Sequence, residues 1–152
     1  MEKLELKHLA PYLPYGLKIT IQDLMTYTVS GLTKETIYTE EGKVFNYKMC
    51  DLPQVIFPIL RPLSDLTKEI EVNGEKFVPI ERIKKKMLID FTYDNSHSVI
   101  SIKSPTGNTL IGIGNEIVDE CPIGFYNQLI KLHFDTQGLI KTGLAIDFNT
   151  LK

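Results

Sequence analysis

Arg82-Ile83-Lys84-Lys85-Lys86 is the sharpest charge cluster in the chain. Read as a helix, Ile80, Ile83 and Met87 form one stripe that docks on a core. Arg82 and Lys86, four apart, then share another face, with Lys85 beside them. A ridge of Arg82, Lys84, Lys85 and Lys86 suits the phosphates of RNA or DNA, or an acidic protein surface. A solvated helix face accounts for the same residues. Glu81 then pairs with Lys85, and the cations sit favourably near the negative end of the helix dipole.

Acid–base or metal chemistry has fewer candidates. The histidines are His8, His97 and His133. His133 and Asp135 are two apart, and residues so spaced on a helix do not face one site. Asp90, Asp94 and His97 surround Tyr93-Asp94-Asn95-Ser96, which otherwise reads as a polar turn. They are the residues a metal-dependent hydrolase would use. Asp119 and Glu120 precede Pro122, where the positive end of a helix dipole explains them. No HExxH, CxxC or calcium-loop spacing occurs. Ile111-Gly112-Ile113-Gly114-Asn115 has GxG, but neither a third glycine nor a clear helix follows, so the glycines end a hairpin strand. No nucleophile motif of the GxSxG or SxxK type is present. The expectation is a protein with no catalytic residues, no metal and no cofactor.

The elements that must position these residues are legible in outline. Leu6, Leu9, Ala10 and Leu13 have helical spacing, but Pro11 and Pro14 limit a helix to two turns. Gly16 releases the chain into an alternating strand, and residues 17–49 read as an antiparallel meander with a turn at Glu40-Glu41-Gly42. Tyr12, Tyr15, Tyr27, Tyr38, Phe45 and Tyr47 lie on or beside it. Aromatics on a sheet can stack single-stranded bases, but tyrosines are also ordinary strand formers. Pro53, Pro58 and Pro62 reduce 55–57 to a short or edge strand. Ser64 is placed to cap a short helix. Asn73-Gly74 marks a hairpin, and Pro79 opens the basic helix, which runs to about Leu88. A second hairpin pairs 98–103 with 109–113. The longest helix is expected over 122–137, closed by a left-handed Gly138, and 144–148 adds a last strand. The fold class is therefore α+β: an antiparallel sheet with hairpins, packed against one long C-terminal helix and two or three short helices.

Composition narrows the classes further. One domain spanning 1–152 is expected at this length, with 43% apolar and 24% charged residues. Residues 1–76 carry 9 basic and 11 acidic side chains, and 77–152 carry 8 and 8. A protein built on wholesale phosphate neutralisation is disfavoured, though a local basic patch is not. Cys50 and Cys121 match no paired-metal spacing and read as free thiols. The N-terminus is charged and carries no apolar signal region. The longest apolar run, 55–60, is broken by Pro58, so the protein is expected in the cytoplasm, with no membrane partner.

Three blocks carry a resemblance. They are His8-Leu9-Ala10-Pro11-Tyr12-Leu13-Pro14-Tyr15-Gly16-Leu17, the run from Pro58-Ile59-Leu60-Arg61-Pro62 to Ile70, and the C-terminal stretch 132–147. Together they resemble a family of small proteins of Bacteroidetes phages and prophages with no known activity. That resemblance implies a phage or mobile-element origin and carries over no site residues. With the missing catalytic set, it implies a non-enzymatic accessory protein in the host cytoplasm. Such a protein binds a host protein or ribonucleoprotein, for example as an inhibitor of a defence complex such as a CRISPR nuclease (an anti-CRISPR protein). Nucleic-acid binding through the basic helix is the second expectation.

Overall fold

The computed structural model describes residues 3–21, 25–46, 56–87, 90–94, 99–104, 107–113, 116–117 and 122–151. It is mixed α and β, as expected. A short helix α1 (Leu6–Leu9) passes into a 3-10 turn (Ala10–Tyr15), where Pro11 and Pro14 stop the α-helical ladder. Gly16, at φ 72°, redirects the chain into β1 (Lys18–Ile21). The meander continues through β2 (Met25–Leu32), β3 (Thr36–Thr39) and β4 (Val44–Asn46), each antiparallel to its predecessor.

The next strand corrects one expectation. β5 (Ile56–Leu60) is not an edge strand but lies between β1 and β12 (Ile146–Asp147) in the sheet order β12-β5-β1-β2-β3-β4. The proline is accommodated because β12 registers only with Ile59 and Leu60, so Pro58 pairs only with β1, at Ile19. The β12 pairing is parallel, so the sheet is mostly rather than wholly antiparallel.

After a 3-10 turn (Leu63–Thr67), β6 (Ile70–Val72) and β7 (Glu75–Phe77) form the Asn73-Gly74 hairpin, with φ of 53° and 81° at the two turn residues. Pro62, not Ser64, occupies the cap position of the 63–67 turn, and no side chain caps it. Helix α2 (Pro79–Met87) follows. Strands β8 (Asp90–Asp94), β9 (Val99–Ser104), β10 (Gly107–Ile113) and β11 (Glu116–Ile117) form a separate antiparallel sheet in the order β11-β10-β9-β8, including the second expected hairpin.

The long C-terminal helix is absent. α3 covers only Ile123–Lys131, nine residues. It ends because His133 takes a left-handed backbone at φ 60° and Phe134 leaves to form a parallel bridge with Arg61. Gly138 is left-handed too, at φ 70°, but in the following turn rather than at the helix end. Of the apolar residues of 132–137 that looked helical, Phe134 is fully buried and Leu132 packs half-buried against the same cluster.

Two apolar clusters result. One joins the sheet to α1 and the C-terminal turn through Leu9, Tyr12, Leu17, Ile19, Ile37 and Leu60. The other joins α2 to α3 through Leu66, Ile80, Ile83, Phe125, Leu129 and Phe134. α3 supplies Ile130 to the first and Leu129 to the second, so its short length still ties both together. Burying each such side chain contributes roughly 1.5–3 kcal/mol. Among the described residues no helix is long and apolar enough to cross a membrane.

Candidate functional site

The basic helix folds as expected and then divides its cations. Ile80 and Ile83 are buried and dock α2 on the second apolar cluster, with Met87 packed alongside. Arg82 and Lys86 turn toward one groove of about 960 Å³, walled by the Pro14–Gly16 loop, the β6–β7 hairpin, α2 and α3. Lys84 is half-buried and Lys85 is exposed, and neither lines this groove. Of the four residues, Arg82 and Lys86 therefore line the groove and Lys84 and Lys85 lie outside it. Helical periodicity places position 84 about 160° from both 82 and 86, whereas 85 is about 60° from 82 and projects beside the groove rather than into it.

The groove recruits cations that the sequence reading did not single out. Lys18 comes from β1, Arg61 from the end of β5 and Lys131 from α3, giving five cations with Arg82 and Lys86 against the carboxylates of Glu71 and Glu75. Arg82 donates to Glu75 Oε2 at 2.9 Å and lies over the Phe77 ring, 4.2 Å from its centroid. Lys86 donates to the Gln128 amide oxygen at 3.2 Å, linking α2 to α3 across the groove.

Arg61 is set deepest. Only 8% of the residue is exposed, yet among the described residues no carboxylate lies within salt-bridge distance of its guanidinium. One amino group donates to the Glu71 carbonyl at 3.2 Å, and the guanidinium carbon lies over the Phe148 ring, 4.0 Å from its centroid. Burial lowers its pKa and Asp65 opposes the fall, but a guanidinium stays protonated in any accessible range. Buried charges are ordinarily paired, so this one stands out.

Its neighbour is His133. The Arg61 amide donates to the His133 carbonyl at 2.7 Å, and the Asp135 amide donates to the Arg61 carbonyl at 2.8 Å. Both side chains line the groove. The imidazole stacks on Tyr12 (6.3 Å between centroids) and is hydrogen-bonded to the Tyr15 backbone, while Nε2 is buried with no hydrogen-bond partner among the described residues. Burial, and then the Arg61 charge, hold its pKa below the usual range against the Tyr15 bond, with Lys18 adding to the depression. The ring is neutral at physiological pH.

Three polar devices fix this pair. Tyr12 donates its hydroxyl proton to the Phe134 carbonyl at 2.8 Å. The Asp135 carboxylate accepts from the amides of Gln137 (3.3 Å), Leu139 (2.9 Å) and Ile140 (2.8 Å), locking the turn after the bridge. The Asp65 carboxylate accepts from Lys68 at 2.8 Å and from Asn149 at 2.7 Å, anchoring the turn that presents Phe148 to Arg61.

The other candidates resolve differently. His8 is buried, and its Nδ1 accepts from the Glu5 amide at 3.0 Å in a helix-capping contact. Asp90 and Asp94 lie at the two ends of β8, and His97 lies outside the described residues, as do Tyr47, Cys50, Gly114, Asp119, Glu120 and Cys121. Tyr12 is buried, Tyr27 packs on Phe45, and Tyr15 and Tyr38 are partly exposed. Among the described residues no group of three His, Cys, Asp or Glu side chains is placed to hold a metal.

The sequence did carry one signal for the groove. Arg61 interrupts the apolar, proline-bounded run Ile59-Leu60-Arg61-Pro62-Leu63, and an arginine in a core-like run needs a reason. No protein-family model, curated protein or solved structure matches the chain.

Proposed function

We propose that this protein is a non-enzymatic, phage-derived accessory protein that works by binding an acidic surface of a host protein or ribonucleoprotein in the host cytoplasm. The observation that carries the reading is the groove: five cations from four elements converge on it against two carboxylates. A rigid concave surface with preset guanidinium forks favours specific recognition of anions over a freely solvated charge cluster. The phage setting rests on the resemblance of the three sequence blocks, and inhibition of a host defence complex such as a CRISPR nuclease is the role that setting favours.

The second reading is a nucleic-acid-binding module. The same convergence of Lys18, Arg82, Lys86 and Lys131 favours it, because phosphates are neutralised by such groups. Glu71 and Glu75 on the same wall weigh against a continuous phosphate backbone. A salt titration separates the two. A nucleic-acid binder loses affinity steeply and log-linearly with salt on both RNA and DNA, whereas a protein binder recovers a defined partner and shows negligible affinity for either.

A further inference from the structure

The geometry points to a phosphate monoester, carried on a side chain of the protein partner, as the group received by the Arg61–His133 floor of the groove. This inference rests on the reading of the groove as the contact surface, and deepens it. Three observations combine. Arg61 is buried, among the described residues no carboxylate lies within salt-bridge distance of it, and its guanidinium, set over the Phe148 ring and bonded to the Glu71 carbonyl, carries its donors as a planar fork. Its backbone is bonded to that of His133, which brings a second polar side chain to the same floor. The Nε2 of that histidine is buried without a partner among the described residues.

A neutral imidazole whose other nitrogen is engaged keeps a lone pair at Nε2, buried and unsatisfied here among the described residues, which a donated ligand proton would satisfy. The guanidinium calls for anionic oxygens. A phosphate monoester supplies both, because its second pKa is about 6 and one proton is readily shared between a phosphate oxygen and Nε2. A carboxylate brings acceptors only, and a phosphodiester has no proton to offer near neutrality. The charged and titratable groups facing His133 are Arg61, Lys18 and the stacked Tyr12. Lys86 and Lys131 and the carboxylates of Glu71 and Glu75 also line the groove. The two carboxylates favour a lone phosphate over a strand bearing one at every nucleotide.

The test is calorimetric titration of the full chain with phenyl phosphate, benzoate and dimethyl phosphate. A phosphoserine peptide and a 5′-phosphorylated oligonucleotide follow. Phenyl phosphate is expected to bind about tenfold or more tightly than benzoate or dimethyl phosphate, with net proton uptake. Arg61→Gln should remove that preference. His133→Asn, which keeps the left-handed backbone tolerable, should remove the proton uptake. The phosphopeptide should bind more tightly than phenyl phosphate and than the oligonucleotide. Equal affinities of the wild-type protein for phenyl phosphate and benzoate would overturn the inference without reference to any variant. A preference for the oligonucleotide would overturn the protein-borne source. Loss of phosphate selectivity while partner capture persists would remove this subsite and leave the groove reading standing.

Discussion

Arg61 and His133 are neighbours by main chain and by side chain: the amide of the first bonds to the carbonyl of the second at 2.7 Å, and both side chains line one groove. The pairing brings together residues from β5 and from the turn after α3, far apart in sequence. Everything that stabilises this bridge therefore bears on the groove, and the expectations below follow from its supports.

Asp135 holds the turn beyond the bridge through three main-chain donors. Asp135→Ala leaves one buried and two partly buried amides without acceptors. It should lower stability by about 3 kcal/mol or more, read from urea denaturation midpoints at constant slope.

Tyr12→Phe removes the hydroxyl that donates to the Phe134 carbonyl and contacts Thr136 Oγ1 at 3.3 Å. The ring packing survives, so the loss should be about 1–2 kcal/mol, smaller than that of Asp135→Ala. Thermal melts of the two variants side by side check the order.

His133 gives a pH signature. Its folded pKa lies below the ordinary 6.5 because burial and Arg61 disfavour the imidazolium. The unfolded chain therefore binds the proton more readily, and the stability tied to the neutral ring is full above pH 6.5 and lost as pH falls from there through the folded value. Denaturation midpoints should decline on acidification in that window, and His133→Asn should flatten this part of the profile.

Asp65 acts at lower pH. Burial works against its ionisation, but bonds from Lys68 and Asn149, with the charges of Lys68 and Arg61, hold its pKa below 3.8. Its contribution is present above the ordinary carboxyl range and lost as pH falls through the depressed value. Asp65→Asn should cost about 1–2 kcal/mol at neutral pH and loosen the turn carrying Phe148. The loosening is visible as faster amide exchange in 148–151.

Much of this architecture was legible from local chemistry. Gly16, Gly42 and Asn73-Gly74 sit where backbone freedom is required, and Pro79 opens α2. What failed was tertiary in origin. Helical spacing continues past Lys131, but His133 abandons the helix because Phe134 gains a strand partner in Arg61, a competition local periodicity cannot register. Likewise Pro58 reads as an edge residue until β12 is seen to stop short of it. For the site, the basic helix was visible but its division was not. Arg82 and Lys86 have meaning only beside Lys18, Arg61 and Lys131, which three other elements bring to the groove. His133 looked structural because two-residue spacing on a helix separates it from Asp135, but neither residue is on a helix, and Asp135 is committed to the amides of the following turn. The helix end that frees its ring was the missing fact.

The most direct measurement is parallel affinity capture from a lysate of the proposed host using the wild-type protein and the Arg82→Glu, Lys86→Glu, Lys131→Glu variant, with equal folding verified by thermal melts. A discrete partner retained by the wild-type protein and lost by the variant is the expected result. The same partner recovered equally by both proteins would contradict the groove as the surface through which this protein acts.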